Sequence, residues 1–208
     1  MPSKQSPYQF DLTAGQLALN LANTVSRRQD PERRKDHLGN YSNLLEFARQ
    51  SQIISAKQEK ELRARAGREA EKARHSFGQA IRLREGIYKV FSAVAQRNSA
   101  PASDLGTINE FAVQALRHRI LKCNNGGYRW EWRADAKNPL DRLLWPIAQA
   151  AADLLTSDEL PLVRMCEAGD CEWLFLDRSR NRSRRWCDMN SCGNREKARR
   201  HYRRTNAG

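Results

Sequence analysis

Apolar residues along this chain recur mostly at helical spacing. From Ala56 to Ala95 a stretch rich in Ala, Glu, Lys and Arg carries Phe77, Ile81, Ile87, Phe91 and Val94 along one face, which predicts helix. Gly67, Gly78 and Gly86 fall inside that stretch, and each glycine lowers helix propensity by about 1 kcal/mol. One unbroken helix is therefore not required. Ser42 followed by Leu44, Leu45, Phe47 and Ala48 reads as a capped amphipathic helix. Pro101 to Asp104 supplies a cap for a helix from Leu105 to Leu116, and Asn138-Pro139 opens another that runs through Leu143, Leu144, Ile147 and Ala151 to Leu155. Between Gly15 and Val25 the leucines alternate at first, so helix and strand both stay open there.

One segment departs from the helical pattern. Residues 119–123 and 128–132 flank Asn124-Asn125-Gly126-Gly127, and this turn chemistry with alternating aromatics predicts a β-hairpin. Trp130 and Trp132 share one face of its second strand, and packing onto the helices is favoured over stacking on a base or ligand. Near the C-terminus, Trp173 to Asp177 is an apolar strand candidate, Arg178 to Arg185 a polar loop, and Asn194 to Arg204 a run of helix formers. The turn residues and proline of Ser157–Pro161 mark a boundary between residues 1–160 and 161–208.

Composition sharpens this. The chain has 208 residues, a net charge of +13 and 39% hydrophobic positions, enough to build a core. No apolar run approaches the roughly 20 residues of a membrane helix. The first residues lack the apolar stretch and small-residue cleavage site of a signal peptide. The expectation is a cytoplasmic protein with no membrane partner. A basic excess of this size points to nucleic acid. It is densest at the end, where residues 161–208 hold 12 basic and 6 acidic side chains.

Four of the five cysteines gather in that same segment. Cys166 and Cys171 form one pair, Cys187 and Cys192 another, each with four residues between its members. In a reducing compartment clustered thiols read as metal ligands, and two short pairs can present four sulfurs to one tetrahedral Zn2+. Free thiols or an iron–sulfur cluster are the weaker readings. Cys123 stands alone and reads as a small, partly buried hydrophobe. No phosphate-binding glycine loop or His-Glu-x-x-His pair is present, and His37, His75, His118 and His201 lie far apart, so they read as surface or interface residues. Zinc held by four cysteines has no open position for water. Catalysis is not expected.

The run Cys166-x4-Cys171-x-Trp173-x-Phe175-x-Asp177-x-Ser179-x-Asn181, followed by Arg184-Arg185-Trp186-Cys187-x-Met189-x2-Cys192-Gly193-Asn194-Arg195-x-Lys197, resembles the CGNR zinc finger. Leu17-Ala-Leu-Asn-Leu-Ala-Asn-Thr24 is similar to the opening signature of the ABATE domain, which commonly precedes that finger, with Asn20 where an aspartate is frequent. The resemblance implies a helical domain in 1–160, a family named for stress-induced transcription regulation, and a finger in 161–208. The expected fold is mainly α with a small β-hairpin, plus a C-terminal treble-clef-like finger. Its plan is knuckle, hairpin, knuckle, helix, with one Zn2+ per chain contributing much of the folding energy.

Ten basic residues are candidates for nucleic-acid contact: Arg178, Arg180, Arg182, Arg184 and Arg185 in the loop, and Lys197, Arg199, Arg200, Arg203 and Arg204 in the helix. Arginine forks suit phosphates and guanine edges. Arg195, beside the last ligand, reads as structural. Two function classes follow. One is a DNA-binding transcriptional regulator, nucleoid-associated, whose helical domain senses a small-molecule inducer or forms a homodimer; RNA binding is its variant. The other is a zinc-stapled adaptor that meets an acidic protein partner.

Overall fold

A computed structural model describes residues 8–124, 126–133 and 137–205. Among the described residues the α-helices are Leu17–Ala22 (α1), Tyr41–Gln50 (α2), Ala56–Arg68 (α3), Ala70–Ala95 (α4), Ala102–Arg117 (α5), Leu144–Leu155 (α6) and Asn194–Thr205 (α7). The strands are Val25–Ser26 (β1), Lys35–Asp36 (β2), Arg119–Asn124 (β3), Gly127–Trp132 (β4), Val163–Met165 (β5) and Leu174–Leu176 (β6), and they pair antiparallel as β1–β2, β3–β4 and β5–β6. The mainly helical class with small hairpins is the one the sequence predicts. No helix among the described residues is long and apolar enough to cross a membrane.

The ambiguous Leu17 stretch is helix. Gln16 caps it, its side-chain oxygen accepting from the amides of Ala18 and Leu19. The long helical stretch divides at Glu69, whose backbone (φ −120°, ψ 54°) leaves the helical region two residues after Gly67. Gly78 and Gly86 instead lie inside α4. A Cβ at Gly86 would stand 3.3 Å from Thr107 Cγ2 and 3.4 Å from the Asp104 carbonyl, so this glycine lets α5 approach α4. Two starts differ from expectation. The cap of α2 is Asn40 rather than Ser42, because Tyr41 already belongs to the helix and buries its ring, with its hydroxyl donating to Leu140 O. Helix α5 begins at Ala102, three residues early, and Asp104 in its first turn complements the helix dipole. Asn138-Pro139 opens a 3-10 turn over Pro139–Leu143 before α6.

Helix α4 is the centre of the core, flanked by α1, α2, α5 and α6 and by β5 and β6. Leu19, Leu44, Leu83, Ile87 and Ile147 are wholly buried around it, and Val163, Leu174 and Leu176 belong to the same apolar cluster. Beyond residue 160 the packing thus divides: Val163, Leu174 and Leu176 join the helical core, while Phe175, Ala168 and the four cysteines form a second buried cluster. The hairpin that carries the first cysteine pair is part of the helical core. Asn23, at the end of α1, fastens it: its buried side chain donates to Leu174 O at 2.8 Å and accepts from Leu174 N at 2.9 Å, as a neighbouring strand would. Leu176 N adds a bond to Ala14 O.

A second buried device ties β2 to α4. Arg84, 1% exposed, makes a bidentate pair with Asp36 at 2.7 Å and a hydrogen bond to Thr24 Oγ1. Burial opposes charge on Asp36, yet the Arg84 hydrogen bonds hold its carboxyl below the usual range. The β3–β4 hairpin has Asn124 opposite Gly127, with Gly126 at φ +89° in the two-residue turn; its partner Asn125 lies outside the described residues. Trp132 packs on the core, 6.0 Å from the Trp145 ring, whereas Trp130 remains 54% exposed. The pair expected to pack together is split. Cys123, expected to be partly buried, is exposed, since the hairpin's tip projects beyond the helices.

Candidate metal centre and basic surface

The first cysteine pair sits at the turn of the β5–β6 hairpin, with Cys166 directly after β5 and Cys171 shortly before β6. The hairpin therefore surrounds the first pair instead of linking the two pairs. Residues 178–185 form no strand, because they lack apolar alternation and have a different organiser. That organiser is Asp177, fully buried, whose carboxylate accepts from the amides of Ser179 and Arg184 and from the Ser179 hydroxyl. The second pair closes on a π-helical turn, Met189–Gly193, capped by Asp188 through the amides of Asn190 and Ser191, and α7 follows without a break. Hairpin-borne knuckle, loop, second knuckle and helix together make a treble-clef-like finger.

All four sulfurs lie within 4.8 Å of one another and all four residues are buried. Cys171 and Cys187 sulfurs are 3.7 Å apart and those of Cys187 and Cys192 3.5 Å. A zinc–sulfur bond of ~2.3 Å in a regular tetrahedron sets the sulfurs about 3.8 Å apart, so the cage already has the metal's dimensions. Its electrostatics agree. Hydrogen bonding from Cys171 and then Cys187 brings the Cys166 thiol down to about 7, and bonds from Cys166 and its neighbours push Cys192 down further. The same crowding, led by Cys166, drives Cys171 and Cys187 up. Four thiolates at these distances need a cation among them. Cys166, Cys171, Cys187 and Cys192 form a site for one Zn2+.

Each residue of the Cys192-Gly193-Asn194-Arg195 run has a physical task. Gly193 permits close packing, since a Cβ there would stand 3.0 Å from Met189 Sδ and 3.5 Å from the Trp186 ring. Asn194 Nδ2 donates to Asn190 O across the π-turn. Arg195 reaches Cys192 Sγ at 3.2 Å and Asp170 at 2.9 Å, an outer-shell contact of the kind that orients a metal ligand. Asp170 also pairs with Arg199 at 3.0 Å and Arg27 at 3.7 Å. Partial burial opposes its charge, but Arg199 and Arg195 hold its carboxyl below the usual range. This carboxylate joins the first knuckle, α7 and the β1 end of the helical domain. Its role was not visible in the sequence, where it is one acidic residue among many.

The ten candidate contact residues separate into two groups. Arg178 pairs with Glu159 at 2.6 Å and donates to Gly15 O, and Arg184 donates to the carbonyls of Trp186 and Cys187 beneath the Phe175 ring. Arg185 pairs with Glu167 at 2.5 Å, and Arg199 with Asp170. These four hold the finger together or fasten it to the helices. Arg180, Arg182, Lys197, Arg200, Arg203 and Arg204 form no carboxylate pair among the described residues, and all six are exposed. Arg182 takes φ +48°, unusual for a side chain with a Cβ, at the loop's tip. At about 100° per residue, Arg195 and Arg199 place one side of α7 toward Asp170, and Lys197, Arg200, His201 and Arg204 fall on the opposite side. The helix buries no side chain, and an open cleft of about 380 Å³ along it is lined by Glu196, Arg199, Arg200, Arg203 and Arg204.

The ABATE opening signature is equally physical. Asn20 Oδ1 accepts from Ala14 N at 3.1 Å, a task an aspartate would also perform, and Asn23 and Thr24 make the β6 and Arg84 contacts described above. No curated protein matches the sequence. The CGNR zinc finger model matches residues 163–205, and the ABATE model, described as "Putative stress-induced transcription regulator", matches residues 15–158. With most of its length covered by that match and its four cysteines caged as the finger requires, the chain belongs to the ABATE family and carries a C-terminal CGNR zinc finger.

Proposed function

We propose that this protein is a DNA-binding transcriptional regulator whose zinc finger docks duplex DNA through α7 and the tip of the 178–185 loop. One observation carries the reading: six exposed cations without a carboxylate partner among the described residues, three of them on the side of a solvent-exposed helix that faces away from its tether. A basic helix with no buried side chain leaves its free side to solvent, and one of this width fits the major groove. Zinc's part is to fix α7, through Arg195 and Asp170, and no catalytic step belongs to the reading. The helical domain supplies the regulatory input.

Binding of the zinc-loaded chain to a mixed duplex pool, measured across salt concentration, tests it. Each neutralised phosphate contributes about −0.9 to the slope of log K against log salt, so six contacts set a limit near −5. Replacing Arg180 and Arg182 by alanine should keep the zinc and reduce the slope's size by up to about 2. No duplex binding at low salt sinks the reading; tighter binding to RNA or to an acidic protein under the same conditions reassigns the surface to that partner.

A further inference from the structure

The break between α3 and α4 opens a cavity of about 560 Å³ against the start of α2. That lies within the ~300–1,000 Å³ range of small-molecule sites. Its floor is apolar: Tyr41 and Ala73 are buried, and Ala66 and Phe77 half-buried. Among the described residues its ionisable lining consists of Arg63 and Arg74, plus the tyrosine hydroxyl already committed to Leu140 O, with no carboxylate. Arg63 is braced by Glu59 at 2.8 Å and Glu46 at 4.0 Å, and Arg74 by Glu71, all carboxylates outside the lining. A guanidinium has five N–H donors; Glu59 and Glu46 both meet Arg63 at its Nη2, and Glu71 meets Arg74 at its Nη2, so each arginine keeps donors to spare. An apolar floor beneath two braced guanidiniums and no acid selects for one chemistry, an apolar body with a single anionic head.

We propose that this cavity is a binding site for a small amphipathic carboxylate, with its apolar part on Tyr41, Ala73 and Phe77 and its head at Arg63 and Arg74. A carboxylate accepts two parallel bonds from a guanidinium fork, which distinguishes it from an alcohol of the same length. The site stands on the cavity and its two arginines, independently of whether the finger binds DNA. It gives the helical domain a ligand chemistry.

The experiment uses the full zinc-loaded chain, octanoate as probe and octanol as uncharged control, with affinity read by calorimetry or ligand-observed NMR. Octanoate should bind at least about tenfold tighter than octanol, the worth of one charge-assisted hydrogen bond at ~1.5 kcal/mol. Arg63→Gln should remove most of that preference, bringing octanoate down toward octanol's affinity. Gly67 lines the cavity, and a Cβ there meets nothing within 4 Å, so Gly67→Phe can fill the space without straining the fold. It should abolish binding of both probes at an unchanged melting temperature. Equal affinity for the two probes, no binding of either, or octanoate bound by Gly67→Phe as by the unaltered chain would each overturn the proposal.

Discussion

Leu174 is the residue at which the shared core can be tested. It is wholly buried in the main apolar cluster, eight residues beyond Cys166 and three beyond Cys171, yet its side chain is no ligand. Leu174→Ala removes three carbons from a site walled by α1 and α4, and a truncation of this kind costs about 2–5 kcal/mol. Against a total stability of about 5–15 kcal/mol that is a large fraction. At about 2–4 °C per kcal/mol for a chain of this size, a 3 kcal/mol loss lowers the melting temperature by about 6–12 °C. Helical circular dichroism of the zinc-loaded chain, with zinc measured on the same sample, is the assay. The helical transition should move as one, and zinc should stay at one per chain. If the helical melt keeps its temperature while only zinc affinity falls, the finger is a separate body and the shared core is wrong.

The Arg84 pair gives a pH signature: Arg84→Met takes the buried cation from Asp36, whose carboxylate water partly screens, and should cost about 1–3 kcal/mol at neutral pH. Because the folded Asp36 and Asp170 pKa values are depressed, their stabilisation is present above the unfolded value near 4 and is lost as pH falls below it; chemical denaturation at pH 7 and pH 3 should show the Arg84→Met deficit shrinking, and an equal deficit at both would refute it. Arg182→Gly relieves a left-handed backbone and should leave stability equal or up to about 1 kcal/mol higher, while duplex affinity drops; a loss of stability would mean the loop relies on that side chain. A thiol reagent should titrate one exposed sulfur, Cys123, in the native zinc-loaded protein and all five after chelation and unfolding; five at once would refute the closed site.

The zinc ligands, the helical periodicities and the hairpin turn were legible because each is a local code, written in spacing or in one dipeptide. What escaped was set by distant residues. Asn23 reads as an ordinary helix end until it is placed against Leu174, 151 positions away. Cys123 and Trp130 carry no sign of how far the hairpin projects, because exposure depends on what neighbouring elements cover. The basic cluster was visible as charge, but its division was not. Arg178 and Arg184 differ from Arg180 and Arg182 only through Glu159, Gly15 and two carbonyls that folding brings beneath them. Asp177 stood in the family motif without a task until the loop it organises was seen.

The bonds from Asn23 to Leu174 and from Leu176 to Ala14 have a consequence for how the chain is made. A ribosome adds about 5–20 residues per second, so the segment around α1 waits roughly ten seconds or more for the strand that completes it. Until that strand emerges, the apolar side of α1 and the groove of α4 lie open, a surface that chaperones bind. The stretch that emerges with that strand is also the one that carries the metal ligands. Nascent chains stalled before residue 163 should therefore be held in a chaperone-bound, zinc-free state, and maturation becomes a single late event in which the fold closes and the ion is captured together.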